Sequence, residues 1–184
     1  MSGIVSTSTQ DVRVPHTLGA PTASDQASPN TTYEFASIKG SSPYFSNVEA
    51  IFREHITPLY GDQSAALKKI GDRIDRRCEL LLQNNSHVVG LIVYKTDPQQ
   101  EYNKEGLVDS FEVKSLFAMG SDRKSQKEHR VMLLNRVLKL AQRKFCKSVH
   151  LTMSERSQDL LDFFTKRGFS IGATWQDRYL QGVK

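Results

Sequence analysis

Between Lys114 and Lys147 the chain carries ten lysines and arginines against two acids, Asp122 and Glu128, a local excess of +8 in a chain of formal net charge +5. Arg123, Lys124, Lys127 and Arg130 crowd the start of a helix-forming stretch, where cations oppose the positive end of the helix dipole unless an anion neutralises them. Helix-start N–H groups with basic side chains beside them form a site for phosphate. Two other readings share this composition: a solvated basic helix face and a nucleic-acid surface. RNA recognition also needs exposed aromatic rings beside the cations, and this region offers only Phe117 and Phe145, both read as core. His16, His55 and His87 have no partners at metal-ligand spacing, so no metal site is expected. The chain lacks a Gly-x-Ser-x-Gly motif and any Gly-rich nucleotide motif, which argues against serine hydrolases and mononucleotide-binding folds.

The elements that would position these residues follow from periodicity. Residues 33–38 alternate as a short strand ended by Gly40 and Pro43. Two helices are predicted next: 45–57, with Val48, Phe52 and Ile56 at spacings of four and a stop at Pro58, and 62–76, with Asp62 as a cap and Leu67, Ile70 and Ile74 inward. Residues 78–83 and 87–94 flank Asn84-Asn85-Ser86 as an antiparallel hairpin, and 107–119 is the next strand. A long amphipathic helix follows, buried along Leu134, Val137, Leu138, Ala141 and Phe145. After it come a strand at 147–153, a helix at about 157–167 closed by Gly168 in the left-handed C′ position, and a last strand at 169–175. The order β-α-α-β-β-β-α-β-α-β predicts an α/β chain with a mixed sheet, its middle strands antiparallel and its C-terminal half built from βαβ crossovers.

That order, with Val149-His150-Leu151-Thr152-Met153 followed by a helix that begins at Ser157, carries Phe163-Phe164 and closes with Lys166-Arg167-Gly168-Phe169, resembles the Gcn5-related N-acetyltransferases over residues 33–175. The resemblance implies direct attack of an amine on the thioester of acetyl-CoA. It implies a cofactor site at the end of the strand Leu116-Phe117-Ala118-Met119 and the entrance to the long helix, where family members wrap the CoA pyrophosphate with a glycine-rich loop. Counting back from Leu133-Leu134, the loop positions fall on Ser125, Gln126, Lys127, Glu128, His129 and Arg130, with Arg123 and Lys124 before them; Ser157, at the start of the later helix, is a further cofactor-binding candidate implied by the resemblance. Both loop glycines are absent; what remains is side-chain charge. The family's hydroxyl that protonates the departing thiolate falls on Phe164, which has none. Glu112 is the nearest match to the family's strand base, and Asp109 is second. His150 is either a core histidine or a group near the sheet centre. Trp175, Asp177, Arg178 and Tyr179 are candidates for the lip of an acceptor groove.

Two functions are therefore expected to compete: an acyl-CoA-dependent N-acetyltransferase acting on an amine of a protein or small molecule, and a catalytically lapsed module of the same fold that binds a protein or RNA. The first 32 residues differ in kind from the rest, with eleven Ser or Thr, three of the six prolines and no aromatic, and are expected to form a disordered leader. It is either a flexible tail or an export signal, since its composition resembles the uncleaved leaders of bacterial type III effectors. No Sec-type signal and no apolar run of membrane-spanning length is present. Cys78 and Cys146 read as small buried apolar residues, and a reducing, cytoplasmic setting is expected.

Overall fold

A computed structural model describes residues 4–11, 30–96, 110–154 and 156–174. Strand β1 (Ile4–Asp11) is followed by β2 (Tyr33–Ile38), α1 (Phe45–Ile51), a π-helical turn (Phe52–Ile56), α2 (Thr57–Tyr60) and α3 (Ser64–Gly71). Then come β3 (Arg77–Gln83), β4 (His87–Tyr94), β5 (Ser110–Ala118), α4 (Arg123–Arg143), β6 (Ser148–Ser154), α5 (Gln158–Thr165) and β7 (Ser170–Thr174). The strands form one mixed sheet in the order β2-β3-β4-β5-β6-β1-β7. From Tyr33 onward this is the predicted α/β arrangement: β2 to β5 are antiparallel neighbours, and β5 runs parallel to β6.

Four details depart from the sequence expectations. Residues 4–11, assigned to the leader, form a strand antiparallel to both β6 and β7. The segment is rich in β-branched residues, and it satisfies backbone groups that a gap between β6 and β7 would leave unpaired. Pro58 does not stop the first helix; it sits in the opening turn of α2, where its missing N–H costs nothing. The second helix ends early, at Gly71, and Arg73 and Asp75 adopt positive φ, so Ile74 lies in solvent rather than in the core. Phe145 falls beyond the end of α4 with φ 56° and is 91% exposed; the left-handed turn swings its ring off the buried stripe.

The sheet separates two apolar layers. Phe111, Val113, Val149 and Leu151 pack with Leu133 and Val137 of α4 and Phe163 and Phe164 of α5. On the other face Ile38, Leu80, Leu91 and Val93 pack with Val48, Phe52, Ile56 and Ile70. Each such side chain contributes roughly 1.5–3 kcal/mol on burial. Cys78 and Cys146 are buried free thiols, and burial pushes the Cys78 thiol up. Among the described residues no helix is long and apolar enough to cross a membrane.

Candidate active site

The site begins with a parting of strands. Parallel pairing of β5 and β6 runs from Ser110 opposite Ser148 to Val113 opposite Leu151, and no later pair joins the two strands. β5 continues on its other side against β4, with Leu116 opposite Ile92 and Phe117 opposite Leu91. On its far side β6 continues against β1 through Ser154. Each strand is thus held by its outer neighbour while the inner edges diverge. The wedge is a cleft of about 490 Å³ counted to its open mouth, solvent space included. Val113, Ser115, Leu116 and Phe117 line one wall and Leu151, Thr152 and Met153 the other; Ser157, Leu160 and Phe164 line it from α5, and His55, Ile56, Leu59 and Tyr60 from the opposite face of the sheet.

The segment over that second face owes its position to the π-helical turn. Val48, Phe52, Ile56 and Tyr60 recur every four residues, and in an α-helix each such step drifts by roughly 40°. The wider turn at Phe52–Ile56 takes the drift back, so Val48, Phe52 and Ile56 are all buried and Tyr60 still reaches the cleft. π-helical turns of this kind concentrate at functional sites. His55 stacks on Phe117 with ring centroids 4.4 Å apart and an interplanar angle of 23°, and its Nε2 lies 3.9 Å from Glu54 Oε2. The Tyr60 hydroxyl accepts the Ser154 N–H at 2.8 Å. Burial pushes the Tyr60 phenol up, and the Ser154 N–H offsets part of that effect.

At the other end of β5, the helix entrance differs from the expected loop. Ser125, Gln126, Lys127, Glu128, His129 and Arg130 are all within α4, so their backbone amides do not form an open cradle. Asp122 caps the helix by accepting the Ser125 N–H at 2.7 Å, and that bond draws its carboxyl below the usual range. Any side chain on Gly120 would collide with the backbone nitrogen of Gln126, so glycine lets β5 turn directly into α4. Gln126 Nε2 donates to Ala118 O at 3.1 Å. Arg123, Lys124, Lys127 and Glu128 are exposed.

His129 and Arg130, expected in a phosphate loop, are withdrawn from the surface. His129 is buried with Nδ1 2.5 Å from Met119 O and Nε2 3.3 Å from the Tyr33 hydroxyl. Arg130 is buried over the Phe163 ring and donates to Asp159 at 3.2 Å. Both face inward because the helix starts well before them, which turns their side chains toward β5 and α5.

Glu112 also sits apart from the cleft lining. It lies opposite His150 in the parallel register and is held by Lys114 and, at 3.4 Å, by Lys95. Burial raises its carboxyl, but the Lys114 charge and hydrogen bond, with Lys95 and His150, outweigh that and hold it below the ordinary range. Asp109, Trp175, Asp177, Arg178 and Tyr179 lie outside the described residues. Sequence reasoning missed His55 and Tyr60 as site residues. The signal present was the spacing of four that carries past Pro58 to Tyr60.

No family model matches the sequence, and no curated protein matches it. Solved structures do match in fold. The chain is similar to an aminoglycoside N-acetyltransferase in complex with CoA, at 10% identity over 78% of this chain and 91% of that one, TM-score 0.55. It is similar to a ribosomal-protein-alanine N-acetyltransferase from Brucella melitensis biovar Abortus 2308, at 10% identity over 73% and 90%, TM-score 0.54. A Trypanosoma brucei acetyltransferase matches at 19% identity over 77% and 95%, TM-score 0.52. The fold is that of the Gcn5-related N-acetyltransferases.

Proposed function

We propose that the protein is an N-acetyltransferase that takes acetyl-CoA as acyl donor and an amine of a protein or small molecule as acceptor. The observation that carries this reading is the divergence of β5 and β6 beyond Val113 and Leu151, which opens a cleft through the sheet, reached from α5 on one face and from α1–α2 on the other. A donor and an acceptor that approach from opposite faces meet in such a cleft, and holding them together converts a bimolecular reaction into an effectively unimolecular one.

The residues present fit the two ends of acetyl-CoA differently. At the thioester end, Leu116, Phe117, Met153, Leu160 and Phe164 give an apolar channel, and Ser115, Thr152 and Ser157 give hydroxyls within it. Bound there, acetyl-CoA would supply an activated acetyl group. At the phosphate end the backbone of α4 is already capped by Asp122. Recognition of the phosphates therefore falls to the side chains of Arg123, Lys124 and Lys127, as charge rather than as an amide cradle, and binding should weaken steeply with salt.

Calorimetric titration of CoA and acetyl-CoA into the wild type and into Lys124→Glu tests the reading. Binding that weakens by about tenfold in the variant, corresponding to roughly 1.4 kcal/mol, is expected. No binding at millimolar cofactor overturns it. Binding without thiol release across a panel of amines moves the protein to the lapsed, partner-binding alternative.

A further inference from the structure

The cleft has two titratable side chains among its described lining residues, His55 and Tyr60. Neither Glu112 nor any group at position 164 supplies one. We infer that His55 and Tyr60 are the acid–base pair of the site, His55 taking the proton from the incoming ammonium and Tyr60 giving one to the departing thiolate. The inference rests on the acetyltransferase reading and assigns the proton transfers within it.

The geometry separates the two roles. His55 lies at the mouth, with 42% of its side chain exposed, and is clamped flat on Phe117, a wall residue of β5. A ring so placed meets an amine that enters from the α1–α2 face and can return its proton to solvent. Glu54 lies within reach of the His55 ring, Oε2 being 3.9 Å from Nε2; the ring stacked on it, Phe117, does not titrate.

Tyr60 is the more buried of the two, and its hydroxyl is already engaged as an acceptor by the Ser154 N–H. That bond leaves the phenolic proton to donate. It also fixes the oxygen at the β6 wall of the cleft, and burial keeps the proton on at neutral pH. Phe164 lines the same cleft from α5, so a hydroxyl missing on that side is supplied from α2.

The step balances without further reactants. His55 removes one proton from the ammonium. The nitrogen then bonds the acetyl carbon, the carbon–sulfur bond breaks, and the sulfur leaves with the bonding pair and takes the Tyr60 proton. The amide nitrogen releases its second proton to solvent as the phenolate recovers one, and His55 discharges to solvent. One proton is lost to water per turnover.

The test uses the full chain with acetyl-CoA and three probe amines, a lysine peptide, a peptide with N-terminal alanine, and spermidine, following thiol release. His55→Ala should lower kcat by about a hundredfold, with acetyl-CoA affinity and melting temperature near wild type and partial recovery on adding free imidazole. Tyr60→Phe should lower kcat by about a hundredfold with acetyl-CoA but little with an acetyl thioester of an aromatic thiol, whose thiolate needs no proton. Activity of His55→Ala within about threefold of wild type, or a loss that imidazole does not relieve, overturns the assignment of His55. An equal loss for both donors in Tyr60→Phe overturns that of Tyr60. Wild type that turns over none of the amines removes the acetyltransferase reading itself, a result distinct from an active wild type with unaffected variants.

Discussion

The Tyr60 hydroxyl accepts the Ser154 N–H at 2.8 Å and so ties the end of α2 to the last residue of β6. The link bridges a wedge that no pairing between β5 and β6 closes. It also makes the segment from Phe45 to Tyr60 part of the site rather than only a cover for the sheet.

The Glu79 carboxylate is buried and is gripped by Arg136 through Nε at 2.7 Å and Nη2 at 3.1 Å, with the Tyr94 hydroxyl at 3.3 Å. Burial, with the Glu79 charge close by, pushes the Tyr94 phenol up to about 12. Arg136→Met should cost on the order of 2–4 kcal/mol in urea unfolding, because it leaves an uncompensated buried charge. The double variant Arg136→Met with Glu79→Gln should recover most of that loss.

Gly90 brings β4 against α4. A Cβ there would lie 2.9 Å from Leu133 Cδ1 and 3.2 Å from Cδ2, and Leu133 is fully buried. Gly90→Ala should destabilise by about 1–3 kcal/mol through overpacking. Thermal unfolding measures it, and pairing the change with Leu133→Ala should relieve the clash while exposing the separate cost of the smaller side chain.

Stability should fall on acidification partly through Glu112. Its carboxyl is held below the ordinary range in the folded protein, so the folded state binds the proton less readily than the unfolded chain. The contribution is full above the ordinary carboxylate value and is lost as pH falls through the depressed folded value. In Glu112→Gln this component of the acid limb should vanish, so denaturation midpoints of variant and wild type should converge at low pH and diverge at neutral pH.

Arg130 and Lys124 should separate structure from binding. Arg130 is 9% exposed at its side chain and bridges to Asp159, so Arg130→Glu should lower the melting temperature markedly by placing a carboxylate beside Phe163. Lys124 is exposed at the first turn of α4, and Lys124→Glu should leave unfolding within about 0.5 kcal/mol of wild type while weakening CoA binding. Paired melts and titrations of the two variants check this.

From Tyr33 to Thr174 the order of elements follows from the chain alone, because each signal is local. Alternation in 78–83 and 87–94 around Asn84-Asn85 dictates a hairpin, and both asparagines adopt the positive φ that a tight turn needs. Gly168, at φ 86°, ends α5 where its sequence position demands. The positive charge of Arg123, Lys124 and Lys127 was legible in the same way, as a cluster of cations at one helix start.

The tertiary structure decided what meets what. Periodicity says that a face is buried, not against which distant element. Only the folded chain could turn His129 and Arg130 inward, place β1 between β6 and β7, or lay His55 on Phe117. The start of α4 depended on Asp122 as cap and on the close approach at Gly120, neither of which a loop pattern counted back from Leu133 could register. The basic stretch from Lys114 to Lys147 thus divides by contact: Arg130 and Arg136 hold the fold, and Arg123, Lys124 and Lys127 remain exposed to solvent.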